Sequence, residues 1–274
     1  MVSSRSFSAI LLAALLGLSP VLDAQQKTLR LGEVLERLEA NLNHYDAGVP
    51  SLFCDEHVLS SRIEPRERDQ NSVTDSVFRV KRTPQADNTT TLVESREITS
   101  VNGKLATSQN TMDGPALLSG IFEGGLAVVS VGQTACTNYT LQRINRKRLS
   151  EPYVVRFGTV LTAQNTAECF LQEESKGRVV VDPASMQVRR LEITTPHHVL
   201  DQDDRFASRV VGKRELKVDY APVLLGGESF WLPSAISMRT TTGSSFDTTV
   251  WTFRADYRNY HRLQVTSHIV GRPQ

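Results

Sequence analysis

The chain has 274 residues, with 31 Lys and Arg against 30 Asp and Glu and a formal net charge of +1. Near-balance of charge excludes a whole-protein electrostatic pull toward nucleic acid or an acidic membrane surface. Beyond the N-terminus no stretch spans a membrane, because the most apolar one, residues 115–132, is interrupted by Glu123 and by glycines.

Arg5, an apolar run over residues 9–18 and the small residue Ala24 make residues 1–24 a secretory signal peptide. The run is shorter than the about 20 residues a membrane helix needs. An N-terminal anchor is the competing reading. Leu22, bulkier than usual two places before Ala24, blurs the cleavage site, and no cysteine follows closely enough for lipid attachment. Cleavage leaves residues 25–274, enough for one large β domain or two small ones. With no internal repeat and no low-complexity linker, a single domain is expected.

The clearest helix covers residues 28–45, where Leu31, Val34, Leu35, Leu38 and Leu42 repeat at threes and fours. Gly48 and Pro50 stand just beyond it as a stop. From Pro50 the period falls to two, predicting antiparallel strands with one wet face around 54–63, 73–81 and 89–99, followed by an Asn102-Gly103 tight turn. A second short helix is predicted over 113–125, opened by Pro115 and closed by Gly124-Gly125, with strand character resuming at 126–131. Further strands are predicted at 136–144, 153–161, 167–173, 209–220, 230–239, 248–257 and 261–269.

Residues 176–195 are the most legible stretch. Gly177 opens it, Val179, Val180 and Val181 make one strand, Asp182-Pro183 breaks it, and Val188, Leu191 and Ile193 carry the return strand. Proline fixes φ and lacks a donor, while the aspartate side chain caps the turn backbone.

The mature chain holds Cys54, Cys136 and Cys169. An exported protein meets oxidising conditions, and Cys136 and Cys169 lie in strand-like segments of one region, so they are the preferred disulfide. Cys54 paired with either, or no bridge at all, are the alternatives.

The segments 49–58 (VPSLFCDEHV), 177–193 (GRVVVDPASMQVRRLEI), 218–239 (VDYAPVLLGGESFWLPSAISMR) and 253–270 (FRADYRNYHRLQVTSHIV) resemble a group of exported, mostly uncharacterised proteins of acidobacterial type. Those carry an early Leu-Pro-x-Phe-x-Cys-like segment, a glycine-strand-Asp-Pro hairpin and a late Leu-Pro strand. Here Val49 replaces the leucine and Leu52 the phenylalanine, with Phe53 one place on. The layout is also similar to the lipoprotein-carrier half-barrels (LolA/LolB-like), in which a curved sheet wraps a helix around an apolar cavity. What the resemblance implies is fold, compartment and lipid or lipoprotein handling; it carries no catalytic residue onto this chain.

Searches for chemistry return little. His197, His198, Asp201, Asp203 and Asp204 form the densest polar cluster, but adjacent histidines on an extended segment point opposite ways and zinc spacings are absent, so a solvated loop is expected and no metal. The run Arg143–Arg148 reads as a polar turn, without the interleaved aromatics of a nucleic-acid platform. Gly227-Glu228-Ser229-Phe230-Trp231 lacks the closing glycine of a nucleophile elbow, and Cys54 with His57 is not a thiol–imidazole pair. No P-loop, dinucleotide fingerprint or cofactor motif occurs.

The expected architecture is therefore mainly β (α+β), a curved antiparallel half-barrel wrapping the N-terminal helix. The expected function is non-enzymatic: an envelope protein, not membrane-spanning, that binds or carries a lipid-like or lipoprotein ligand in an apolar cavity between helix and sheet. Leu35, Leu38, Leu42, Trp231, Trp251 and Phe253 are the candidate lining, with Trp251 and Phe253 on one strand face. The alternative is a structural or protein-interaction module of the envelope with no small-molecule ligand.

Overall fold

The computed structural model describes residues 29–66, 68–84, 90–107, 122, 125–142, 151–200, 208–244 and 247–263. The signal-peptide segment, most of 113–125, the basic run at 143–148 and Asp201, Asp203 and Asp204 lie outside the described residues.

The amphipathic pattern becomes helix α1, Leu31–Gly48, which buries Val34, Leu35, Leu38 and Tyr45 on one stripe. Its first turn is held by Glu33, whose carboxylate accepts from the Arg30 N–H at 2.6 Å, satisfying a donor that the helix itself leaves unpaired. Pro50, which has no N–H to give, follows the last turn.

Period-two alternation then builds β1 Leu52–Ile63, β2 Gln70–Pro84, β3 Thr90–Val101 and β4 Lys104–Leu105. After two 3₁₀ turns come β5 Thr137–Leu141, β6 Tyr153–Thr159, β7 Lys176–Val181, β8 Val188–Leu200, β9 Ser208–Leu225, β10 Glu228–Ser244 and β11 Asp247–Arg262. All pair antiparallel in one 11-stranded sheet, ordered β4-β3-β2-β1-β11-β10-β9-β8-β7-β6-β5. The chain thus enters at a central strand, meanders outward to β4, restarts at the opposite edge with β5 and returns until β11 lies against β1. The sheet is curved and unclosed, because β4 and β5 do not meet. Bulges at Phe53/Asp55, Pro233/Ala235 and His197/His198 bend the long strands. Pro233 sits at such a bulge, where a missing donor costs the ladder nothing.

Some sequence expectations are corrected. Residues 126–131 are not a strand but lie in 3₁₀ turns, Gly125–Val129 and Val131–Gln133, pinned to the helix by Glu39, which accepts from the Val131 N–H at 2.9 Å. Residues 167–173 are likewise not a strand: a 3₁₀ turn at Thr166–Glu168 leads into an irregular segment. There the Asn165 side chain holds the backbone of Thr162, Ala135 and Val160 in place. The strands expected at 248–257 and 261–269 are one strand as far as Arg262. Asn259, at φ 54°, carries it past the apparent break and donates to Asp55 at 2.7 Å, opposite the β1 bulge.

The hairpin at 176–195 forms as β7 and β8. Asp182 accepts from the N–H groups of Ala184 and Ser185, at 3.0 and 2.8 Å, and from the Ser185 hydroxyl. Met186, at φ 57°, is buried, and its carbonyl accepts from Asn41 of α1 at 2.7 Å. Gly177 is required by close approach: a Cβ there would sit 2.5 Å from the Phe157 ring and 2.0 Å from the Glu192 carbonyl oxygen.

Side chains of the concave face and the helix make one core. Leu52, Cys54 and Val58 of β1, Phe78 and Val80 of β2, Leu191 of β8, Val218 of β9, Leu232 and Ile236 of β10, and Ala255 and Tyr257 of β11 meet Val34, Leu35 and Leu38. Each fully buried aliphatic or aromatic side chain of this kind contributes about 1.5–3 kcal/mol. The space between helix and sheet is therefore filled by side chains, contrary to the expectation of a cavity there.

Candidate ligand-binding cavity

The helix covers only one end of the concave face. The paired registers divide that face into successive rows across the strands from β8 to β2. Leu191, Val218, Ile236, Ala255, Val58 and Thr74 form a sealed row against the core. The next row outward holds Ile193, Leu216, Met238, Phe253, Ser60 and Ser72. Beyond it come Thr195, Arg214, Thr240, Trp251, Arg62 and Gln70, and then a rim of His197, Gly212, Thr242 and Thr249. From Val218 to Arg214 the face runs four residues along a strand, roughly 13 Å at about 3.3 Å per residue.

Over the outer rows lies a cavity of about 700 Å³, lined by Phe253, Met238 and Trp251 as its apolar floor and by Arg62, Arg214 and His197 among its polar walls. Phe253 is buried, whereas Trp251 is 45% exposed. The Arg62 guanidinium lies 4.9 Å from the centre of the Trp251 ring, a cation–π contact, and is paired with Glu64. Its Nε is buried without a hydrogen-bond partner among the described residues, as is Oγ of Ser72 on the neighbouring strand. Arg214 has no carboxylate partner among the described residues; it donates to Nδ1 of His197 at 3.4 Å. Burial, and then the Arg214 charge and His198, hold the His197 imidazole below its ordinary value. Neutral His197 accepts at Nδ1, and its proton resides on Nε2.

A second, more open cavity of about 790 Å³ adjoins it, sharing Met238, Phe253, Ser60 and Ser72 and adding Ile193 and Leu216 of the same row together with strand neighbours such as Glu192, Lys217, Glu215, Arg239 and Arg254. Its charges are largely satisfied within the sheet: Arg178 with Glu192, Lys213 with Glu215, Lys217 with Asp219 and Arg254 with Asp256. The cavity over the outer rows, with the unpartnered Nε of Arg62 and Oγ of Ser72 beside its apolar floor, is the candidate ligand site.

Of the residues expected to line a cavity, Trp251 and Phe253 do line this one. Leu35 and Leu38 are instead packed in the core, and Leu42 is half-buried on α1. Trp231 is half-buried on β10, packed against the core, and is not among the residues lining this cavity. Cys136 and Cys169 are joined, with Cα atoms 5.6 Å apart, and Cys54 is the free, buried thiol. Desolvation pushes the Cys54 thiol up to about 12, and His57 pairs on the exposed face with Asp75 at 2.6 Å, so no thiolate–imidazole couple forms. His197 and His198 belong to strand β8 rather than to a loop. Among the described residues no group of three or more potential metal ligands converges, and no helix is long and apolar enough to cross a membrane.

No family model matches the chain, and no curated protein matches it. Among solved structures, a lipoprotein-sorting-type domain from Vibrio parahaemolyticus is similar at 13% identity and a TM-score of 0.36, with 88% of this chain and 96% of that chain covered. A LolA superfamily protein from Nitrosomonas europaea is similar at 11% identity and a TM-score of 0.32, covering 87% and 96%. A DUF1329 family protein from Desulfovibrio piger is similar at 9% identity and a TM-score of 0.35, covering 88% and 96%.

Proposed function

We propose that this is an exported, non-enzymatic envelope protein that binds or carries a lipid-like ligand in the concave cavity, with residues 1–24 as its export signal. One observation carries the reading: the half of the curved face left uncovered by α1 presents Phe253, Met238 and Trp251 at the floor of a roughly 700 Å³ cavity under a polar rim. That size and that mix of an apolar floor with few polar groups fit a small-molecule site. The Cys136–Cys169 bridge fits an oxidising compartment.

Protein purified without detergent from the envelope fraction of an expressing cell, extracted with organic solvent and examined by mass spectrometry, is expected to release an amphiphile in near-stoichiometric amount. Substituting Met238→Trp, which fills the floor, should abolish that co-purification while the fold is retained. A lipid-free extract from folded wild-type protein overturns the reading in favour of a protein-interaction module.

A further inference from the structure

We propose that the ligand is an anionic amphiphile, its carboxylate or phosphate head held at Arg214 and its hydrocarbon laid across Met238, Phe253 and Trp251. The proposal rests on the carrier reading and adds to it the charge and orientation of the ligand. The arginines in the cavity wall are not equivalent. Arg62 is neutralised by Glu64 and lies over Trp251, so it serves as a lid on the aromatic floor. Arg214 faces the cavity with no ion pair to a carboxylate among the described residues. A guanidinium offers paired donors suited to a carboxylate or a phosphate.

The next residue along the same face carries no side chain. Gly212 stands two places along the same face from Arg214, between His197 and Thr242 in the rim row. A Cβ there would come 1.7 Å from the Thr241 carbonyl oxygen, so close strand contact keeps the position bare. His197, with Nδ1 engaged by Arg214, keeps its other ring nitrogen as a second donor beside Arg214. Inward of Arg214 the wall turns apolar within one row, at Leu216, Met238 and Phe253. A head group at Arg214 therefore points its chain toward Phe253 and Trp251. Buried, unpartnered Nε of Arg62 and Oγ of Ser72 offer hydrogen bonds at the far side of the floor, where an ester or hydroxyl of the ligand would relieve them.

The test uses the mature protein carrying Trp231→Phe, so that Trp251 fluorescence reports alone, titrated with dodecanoate, monododecyl phosphate, 1-dodecanol and inorganic phosphate. The two anionic chains are expected to bind at least tenfold more tightly than 1-dodecanol, and inorganic phosphate not to bind. Arg214→Gln should weaken both anionic chains at least tenfold while 1-dodecanol stays within about twofold. Arg214→Lys, which keeps the charge, should recover most of the loss. Comparing dodecanoate with monododecyl phosphate assigns the head as carboxylate or phosphate. Equal affinity for 1-dodecanol and dodecanoate, or Arg214→Gln and Arg214→Lys proteins that both bind like wild type, would overturn the anionic head and leave the carrier reading standing. Tight binding of inorganic phosphate alone would overturn the amphiphile. Failure of every dodecyl probe to bind folded protein would sink both readings together.

Discussion

The most demanding residue in the core is Glu56. It is 1% exposed, on the inward face of β1, and its carboxylate accepts from Arg96 Nε at 2.9 and 2.7 Å and from the Tyr257 hydroxyl at 2.9 Å. Arg96 in turn lies 4.7 Å from the centre of the Phe78 ring. Burying two charges costs several kcal/mol per ion after relaxation, so the pair is a weak source of net stability, but breaking it leaves one charge stranded. Arg96→Met is therefore expected to destabilise the protein by about 3–5 kcal/mol in urea denaturation. The double variant Arg96→Met with Glu56→Leu should recover much of the loss. A single variant within about 0.5 kcal/mol of wild type would show that Glu56 is not dependent on this partner. None of this was legible in the sequence, where Glu56 reads as one more charge in CDEHV. Only the pairing of β1 with β2 and β11, and of β2 with β3, brings Arg96 and Tyr257 to it.

At the scale of an element, the β7–β8 hairpin was the most legible part of the chain because its information is local. Asp182 and Pro183 write the turn with side-chain chemistry that acts within four residues. The Asp182 carboxyl is held below its usual range first by the Ser185 N–H, with the Ser185 hydroxyl, the Ala184 N–H and Arg189 adding to it against some desolvation. A depressed folded value means the unfolded chain binds more protons through that window. The stabilisation is then fully present above the unfolded carboxyl value, near 3.8, and is lost as pH falls through the folded one. Asp182→Asn should thus cost on the order of 1 kcal/mol at pH 7, the scale of a lost capping carboxylate. The gap between variant and wild type in urea midpoint should close toward pH 2, and a gap independent of pH would assign the loss to packing around Met186 instead. The 3₁₀ turns at 125–133 were misread for the complementary reason. Leu126, Ala127, Val128 and Val129 form a short apolar run, which periodicity cannot divide between strand and helix, and the deciding contact, Glu39 with Val131, spans the chain from α1.

Across the whole molecule, the packed core and the proposed ligand cavity occupy different parts of one sheet. The half-barrel and its helix were legible because period-two strands and a single apolar helical stripe leave few other ways to bury both. The cavity's place was not. Arg62, Gln70, Thr195, Arg214, Thr240 and Trp251 share a row only through the registers of the long strands, and no spacing in the sequence records it. Trp251 and Phe253 were the exception, since alternation within one strand puts them on one face. The disulfide lies at the other side of the sheet. It ties Cys136, just before edge strand β5, to Cys169 in the connection between β6 and β7, closing a loop with a sequence separation of 33 that is worth roughly 3–4 kcal/mol in the chain-entropy account. β5 pairs only with β6, so this staple holds an edge that five residues of ladder hold weakly. The double variant Cys136→Ser with Cys169→Ser is expected to lose up to about 3–4 kcal/mol in urea. Its faster amide exchange should be confined to β5, β6 and the connection after β6. Dodecanoate affinity should stay within twofold, because the strands that line the cavity, β8 to β2, carry neither cysteine. Loss of binding in step with the loss of the bridge would mean instead that the sheet transmits the edge's disorder to the cavity, and that its two halves are one cooperative unit.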